Sequence, residues 1–450
     1  MTQLADRLAR GKSTRAVLPR SAHGDWSPPK DRPDPVTTLE RSSTGRVPEL
    51  LPLRYGRMAV SPFTFLRGAA AAMAEDLATT PNSGLRVQLC GDCHLLNFGA
   101  FGTPERLLLF DLMDFDETLP GPFEWDVKRL VASVLVAARS IGLRDAVGKG
   151  AVLAAARTYR EGILEHAERS PLDLWHARLT AEEVIATAPT KAERQAYAAG
   201  AAKARAHTVE QVFPKLTTVV NGRRRFVDRP PSLFHPPMHA GWEEELHRLI
   251  SRYRESIPDD RRALFDRFEL VDLATKVVGV GSVGTRCGVA LFLAGDAPLL
   301  LQIKEARRSV LEPFAGKSVY AHQGRRVVEG QRLVQPAADI FLGWTEDDEG
   351  RHYYFRQLQD MKGSVDVTVM SAAQLAWYAG LCGRVLARAH AKGGDAAVLA
   401  GYLGKGDTFD QALARFAIAY ADQTEQDHAA LVAAIAAGRI IATPHEPPRV

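Results

Sequence analysis

The chain has 450 residues, enough for one large two-lobed domain or two to three ordinary ones and too many for a peptide-like module. Hydrophobic residues make up 46% and charged residues 24%, and 57 Lys+Arg against 53 Asp+Glu leave a formal charge of +4, too slight a bias to argue for nucleic acid as a partner. Four cysteines over this length exclude a disulfide framework, no apolar run marks the N-terminus, and Arg139 interrupts the most apolar helix candidate, so the expectation is a cytoplasmic protein without membrane insertion.

In chain order, residues 1–46 read as an extended N-terminal arm, rich in Pro, Arg and Ser without apolar periodicity. Ser61 then caps a helix with Pro62 in its first turn, predicted to run to Leu77 and to close at 81–84. Alternation predicts a strand over 85–89, a polar loop over 91–97, a second strand over 107–110 and an acidic loop around Asp114. A long apolar helix follows over 125–141, and the chain to Arg267 is mostly helical, interrupted by a hairpin whose turn is Asn221-Gly222. Near Phe268 the texture becomes β-rich, with strands over 270–280, 288–293, 299–303 and 353–358 and a helix over 320–333 between the last two. Helices return over 372–391 and 410–437. The predicted fold is α+β and two-lobed: a helical large lobe over 47–267, a small β-rich lobe over 268–365, and helices over 366–450 returning to the large lobe.

The first constellation is Asp92-x-x-x-x-Asn97, on the loop after a strand, with Asp114 just beyond the next strand. Phosphoryl transfer needs a carboxylate to orient or deprotonate an acceptor hydroxyl and hard oxygen ligands for magnesium. Asp92 fits the first role and Asn97 and Asp114 the second; Asp116 is a further metal ligand, with Asp111 and Glu117 as rivals. A lone D-x4-N is more often a capped surface loop, so the second constellation carries weight. Gly279-Val-Gly-Ser-Val-Gly284 joins two predicted strands, and Lys304 ends a third, twenty positions after Gly284. Backbone amides at Gly279, Gly281, Ser282 and Gly284 would approach ATP phosphates, and Lys304 would reach them. A dinucleotide reading of the same glycines requires a helix after the loop, where a strand is predicted.

Glu329, on the helix after Lys304, is the expected partner of that lysine, with Glu312 as fallback, and Gln357 and Leu358 begin a hinge whose backbone would meet adenine. Both halves of a Mg·ATP site are therefore expected, in reversed order, as a circular permutation would give. The helix ending Leu386-Ala-Arg-Ala-His390, or alternatively the one over 61–77, is expected to pack beside the Asp92 loop, and Asp126 to hold that loop's backbone or to cap its own helix. Arg54, Arg57 and Arg67 are candidate anion ligands, though surface arginines are commoner. Cys90-Gly-Asp-Cys93-His94 also spells a haem-attachment pattern, disfavoured without export, and a Cys/His zinc site with Cys287 or Cys382 is equally minor.

Arg54-Tyr-Gly-Arg57, Ser61-Pro-Phe-Thr-Phe-Leu-Arg-Gly68, Gly91-Asp-Cys-His-Leu-Leu-Asn-Phe-Gly99, Asp114-Phe-Asp-Glu-Thr118 and Tyr420-Ala-Asp-Gln423 resemble the bacterial domain of unknown function 2252 family, over nearly the whole chain from Pro19. At the level of motifs alone, the chain also resembles the protein-kinase-like and aminoglycoside-phosphotransferase-like superfamily, whose pattern is H-G-D-x-x-x-x-N with a later Asp. Cys90 stands in place of the usual His, Arg286 in place of Val, and Asp116 in place of the Gly of Asp-Phe-Gly. That resemblance implies an ATP- and Mg2+-dependent phosphotransferase with a nucleotide and a small-molecule or protein acceptor as partners. Nucleotidyl transfer and a nucleotide-binding pseudokinase are the alternatives from the same residues.

Overall fold

In the computed structural model, which describes residues 3–235, 241–277, 279–358, 361, 363 and 365–444, helices and a small sheet segregate along the chain into an α+β arrangement. The predicted helix after Ser61 begins as expected: the Ser61 hydroxyl accepts the Thr64 N–H, the Thr64 hydroxyl accepts the Ser61 N–H, and Pro62 sits in the first turn. It does not run on to Leu77. The chain leaves helical geometry at Ala69, giving helices Pro62–Gly68 and Ala70–Ala78, because Arg54 takes the Gly68 carbonyl at 2.8 Å and Met58 packs where a Gly68 side chain would stand.

The helix Phe123–Ser140 is the axis of the helical part, with every residue from Phe123 to Ala138 buried. Helices Pro62–Gly68, Asp145–Ala167, Ala372–Gly393 and Thr408–Ala436 pack around it. Small residues set the spacing of this bundle. A Cβ on Gly383 would lie 2.2 Å from the Ala155 carbonyl, so helices Asp145–Ala167 and Ala372–Gly393 meet backbone to backbone. A polar exception in the apolar packing, Arg160 against Asp410 at 2.9 Å, is a buried ion pair.

The extended N-terminal arm is corrected by the structure: Gln3–Val17 is a helix, and Pro35–Ser43 a second, capped by Asp34. The first lies on the helix Ala396–Leu403 through two glycines, since a Cβ on Gly11 would meet the Val398 carbonyl and one on Gly401 the Leu8 carbonyl. Arg7 pairs with Asp395 at 2.7 Å, and Arg15 donates to the carbonyls of Gly401 and Tyr402. A helix docked by glycine contact and arginine hydrogen bonds needs no apolar stripe, which is why its sequence lacks helical periodicity.

The β-rich part is one antiparallel six-stranded sheet in the order Gly343–Glu346, His352–Gln357, Ala297–Glu305, Cys287–Ala294, Glu269–Lys276, Leu233–Phe234. The helix Gln323–Val334 packs on its first two strands. Two separate two-stranded ladders join Arg86–Leu89 to Leu119–Pro122 and Phe98–Gly102 to Leu108–Leu112. The Asn-Gly hairpin forms between Thr217–Val220 and Arg223–Phe226, with positive φ at both Asn221 and Gly222. Among the described residues no helix is long and apolar enough to cross a membrane.

Candidate functional site

The two small ladders explain how distant motif residues converge. Leu89 pairs with Leu119, so the loop 90–97 and the segment 113–118 leave the same end of one ladder; Phe98 pairs with Leu112, and Met113 donates to the Asn97 carbonyl at 2.8 Å, so Asn97 and Asp114 flank the same end of the other. Gly91 makes the turn possible. Its φ is +90°, and a Cβ there would lie 2.2 Å from the Glu117 carbonyl.

The loop 90–97 is fastened to the axial helix. Asp126 accepts the N–H groups of Cys90 at 2.8 Å and Gly91 at 3.0 Å, and the Ser133 hydroxyl accepts that of Leu95 at 2.8 Å. Asp126 lies four residues past the cap position Pro122, so it holds the loop and is not the cap. The helix Ala372–Gly393 supports the loop from the other side: His390 Nε2 is 3.3 Å from Asp126, and the Tyr378 hydroxyl donates to the carbonyls of Leu95 and Phe98. Helix Pro62–Gly68 also reaches it, through Arg129, which donates to the Leu66 carbonyl and to Asp92.

Asp92 Oδ1 accepts two hydrogen bonds from Arg129, at 2.8 and 2.6 Å, and the Asn97 amide donates to the Asp92 carbonyl at 2.6 Å. Asp92, Asn97, Asp114 and Asp116 line a cleft of about 650 Å³ together with Gly279, Gly281 and Ser282. The two constellations, 187 positions apart from Asp92 to Gly279, therefore line one cleft. Lys304 Nζ lies 2.6 Å from Asp116 and 3.5 Å from Asp114. The sheet register aims it there: Lys304 is directly opposite Tyr354, whose hydroxyl donates to the other Asp116 oxygen at 2.6 Å.

One ammonium serves two carboxylates, and the division is unequal. Burial and the neighbouring Asp116 raise the Asp114 carboxyl above its usual range, more than Lys304 and Arg356 lower it. Burial also penalises charged Asp116, but the charge and hydrogen bond of Lys304, with the Tyr354 hydroxyl, hold its carboxyl below the usual range. Burial pulls Lys304 down, and Asp114 with Asp116 outweighs it, so its ammonium titrates well above normal. Asp114 is left as an under-compensated carboxylate facing the cleft, with Asn97 beside it; that pair fits a hard divalent cation.

The glycine-rich loop 279–284 is drawn down onto this cleft. Gly279 and Gly284 have φ of +67° and +87°; Arg46 donates to the carbonyls of Gly281 and Val283, Arg57 donates to that of Gly279 at 2.6 Å, and the Ser282 hydroxyl lies 3.4 Å from Asp116. Gly284 turns the chain beneath Arg46 and does not line the cleft.

Three sequence assignments are corrected. Glu329 pairs with Arg332 at 3.5 Å and Glu312 with Arg308 at 2.9 Å; among the described residues neither pairs with Lys304. Helix Gln323–Val334 turns Arg326 toward the acidic segment, where it donates to the carbonyls of Asp116 and Thr118. The partner of Lys304 is Asp116, whose second oxygen accepts the Tyr354 hydroxyl, so both its oxygens are engaged within the protein where a metal ligand was expected. The third correction concerns the hinge. The Gln357 N–H donates to the Asp339 carboxylate and the Leu358 N–H to the Leu300 carbonyl at 2.9 Å, so both amides are engaged within the protein where a hinge meeting adenine was expected. Neither residue lines the 650 Å³ cleft. The remainder of that segment, Gln359 and Asp360, lies outside the described residues.

The rival carboxylates and the cysteine pattern have structural duties. Asp111 is fully buried against Arg388 at 2.7 Å, and Glu117, on the cleft wall, accepts the Val310 N–H. Cys90 and Cys93 cluster with Asp126 in the core; burial pushes the Cys93 thiol up to about 11, and Asp126 is already used by two amides. A second cluster, His322, Glu346 and His352, is no better a metal site. Nδ1 of each histidine accepts a backbone N–H, of Arg325 and Gln323, which puts the ring proton on Nε2.

A family model described as an uncharacterized protein conserved in bacteria (DUF2252) matches residues 46–434, most of the chain, and the chain belongs to that family. No curated protein and no solved structure matches it.

Proposed function

We propose that this member of the family is an ATP- and Mg2+-dependent phosphotransferase built on a circularly permuted, two-lobed kinase-like fold. The observation that supports it most is the 3.5 Å approach of Lys304 to Asp114, with the glycine-rich loop and Asp92 lining the same cleft. A chance pairing of two loop motifs gives no such convergence.

In this reading Lys304, held by Asp116 and Tyr354, presents its ammonium to the nucleotide phosphates, and the loop at Gly279, Gly281 and Ser282 offers backbone amides to them. Asn97 and Asp114 would hold Mg2+, which when bound neutralises charge on the phosphates. Asp92 orients the acceptor hydroxyl with the oxygen that lies 3.8 Å from His94 Nε2, while Arg129 fixes the carboxylate through the other. Phosphoryl transfer asks for positioning and charge neutralisation more than for a strong base, so a carboxylate immobilised by arginine suits it.

That same arginine favours a second reading. Two hydrogen bonds from Arg129 occupy one oxygen of Asp92, an arrangement that also suits a nucleotide-binding protein that signals without transfer. The readings separate with ATP labelled at the γ or the α phosphate, Mg2+ and purified protein. Transfer predicts movement of the γ label to water, protein or an added acceptor, falling about 100-fold or more in Asp92→Ala with nucleotide affinity retained. Movement of the α label identifies nucleotidyl transfer. Binding without movement of either label identifies the sensor, and absence of Mg·ATP binding to the wild-type protein rejects all three.

A further inference from the structure

Three arginines away from the cleft face a carboxylate, Arg32 against Asp76 and Asp427, Arg160 against Asp410, and Arg388 against Asp111, whereas buried Arg326 is spent on the carbonyls of Asp116, Thr118 and Arg307. The cleft wall beside Asp92 is built differently. Arg54 is 1% exposed, donates only to the Met58 sulfur and the Gly68 carbonyl, and has an Nε without a partner. Arg67, at the end of helix Pro62–Gly68, has no ion pair with a carboxylate among the described residues, and its buried Nε is likewise unpartnered. Arg46 lines the same wall, spends its hydrogen bonds on the glycine-rich loop, and also has a bare Nε. None of the three forms an ion pair with any described carboxylate.

An unpaired guanidinium in a closed site is costly, because it surrenders hydration without gaining a counter-charge. Burial depresses Arg46 to about 10 and Arg54 to about 9, and both stay protonated at neutral pH. The wall thus holds three guanidinium groups out of ion-pair contact: Asp92, whose charge acts on Arg67, is bonded to Arg129, and Glu117 and Glu305, whose charges act on Arg46, accept the backbone N–H groups of Val310 and Arg286. Guanidinium groups are the side chains best matched to an oxyanion, through parallel charge-assisted hydrogen bonds.

We infer that Arg54 and Arg67, with Arg46 behind them, form a subsite for an oxyanion carried by the acceptor, so that the second substrate bears a phosphate or carboxylate group besides the hydroxyl oriented by Asp92. This rests on the phosphotransferase reading for the word acceptor, not for the oxyanion itself. In the proposed reading the nucleotide's phosphates fall to Lys304 and the amides of the glycine-rich loop, whose carbonyls Arg46 holds and whose Gly281 lies against Arg67, so the two subsites would adjoin. Anchoring the acceptor by its charged end would fix the distance from that end to the reacting hydroxyl, so selectivity should follow length as well as charge.

The test is calorimetric, on the full chain, with inorganic phosphate and succinate as probes, each titrated into free protein and into protein saturated with Mg2+ and a β,γ-imido ATP analogue. At least one probe should bind the nucleotide-saturated protein. Arg67→Gln should weaken that probe about tenfold or more while changing nucleotide affinity less than about threefold, and Arg67→Lys should recover part of the loss. Lys304→Met should do the reverse. Arg67 is the variant to rely on, since Arg54→Met alters a fully buried position and must first be shown to fold. The probe that binds tells a phosphate from a carboxylate. Displacement of the probes by the nucleotide analogue would assign the arginines to ATP and overturn the inference, as would binding of neither probe or binding unaffected in Arg67→Gln. If phosphate binds through Arg67 while the wild-type chain takes up no nucleotide, the phosphotransferase reading fails and the oxyanion subsite stands.

Discussion

The two sides of the cleft are held by different means. The loop 90–97 is fixed within the helical part by bonds from its own neighbourhood: Asp126 and Ser133 on its amides, Tyr378 on its carbonyls, Asn97 on the Asp92 carbonyl. The glycine-rich loop 279–284 has, among the described residues, only its own turn bonds as local support, from the Val283 N–H to Val280 and from Thr285 to the Ser282 carbonyl. Its carbonyls are taken by Arg46 and Arg57, which belong to the opposite part of the chain, and its serine leans on Asp116. One side is a rigid platform set by the fold; the other takes its position from whatever faces it. A site that must admit a substrate and then enclose it is well served by that asymmetry.

The comparison breaks most severely at Asp126. Replacing it with Ala strands the buried N–H of Cys90 and the part-buried N–H of Gly91 at the turn that carries Asp92, and at about 1–3 kcal/mol for a buried unsatisfied donor the expected loss is about 2–4 kcal/mol. Urea unfolding should show the midpoint falling at unchanged slope. Asp126→Asn, which keeps one acceptor, should lose roughly half as much. A loss below about 0.5 kcal/mol for the Ala variant would mean the loop is held by its core packing alone.

Next in size is Asp116→Asn. If Asp116 is the group that fixes Lys304, the variant leaves the buried ammonium to Asp114, moves positive charge off the phosphate-facing position, and should weaken Mg·nucleotide binding by about tenfold or more. Below the platform, the buried histidine His23 provides a pH marker. Burial, with a lesser contribution from Lys128, depresses its imidazole to about 3, so an unfolded chain takes up a proton near pH 6.5 that the folded chain refuses. Its contribution is therefore full above pH 6.5 and is lost as pH falls toward 3, at about 1 kcal/mol per pH unit. His23→Gln should lower the slope between those limits by about 1 kcal/mol per pH unit, leaving the share of His94, His166 and His322, which burial also depresses; an unchanged slope would show that His23 charges in the folded state.

How far all this was legible in the sequence depends on how each residue is held. Asp92, Asn97, Asp114 and Lys304 sit where the order of strand, loop and strand puts them, because register and alternation are local rules. The helical N-terminus was not legible, since Gly11 and Gly401 dock it without an apolar stripe. The arginine wall was half legible: Arg54 and Arg67 could be named, but only the fold shows that they are buried without a counter-ion. The Lys304 partner was misplaced because a contact 188 residues long in sequence was sought by analogy on a helix, when the sheet register pointed at the acidic segment.

That misplacement yields the smallest and sharpest test. Glu329 carries a part-exposed pair with Arg332, three positions along the same helix, and such pairs contribute about 0–0.5 kcal/mol. Glu329→Gln should therefore leave stability and Mg·nucleotide affinity almost unchanged, in the same assays where Asp116→Asn is damaging. The contrast is informative because both residues are acidic and both were candidates for one role. If Glu329→Gln instead weakened nucleotide binding as much as Asp116→Asn, the nucleotide-bound state would have to bring the helix Gln323–Val334 around to Lys304, and the asymmetry between the two sides of the cleft would extend from one loop to the whole sheet.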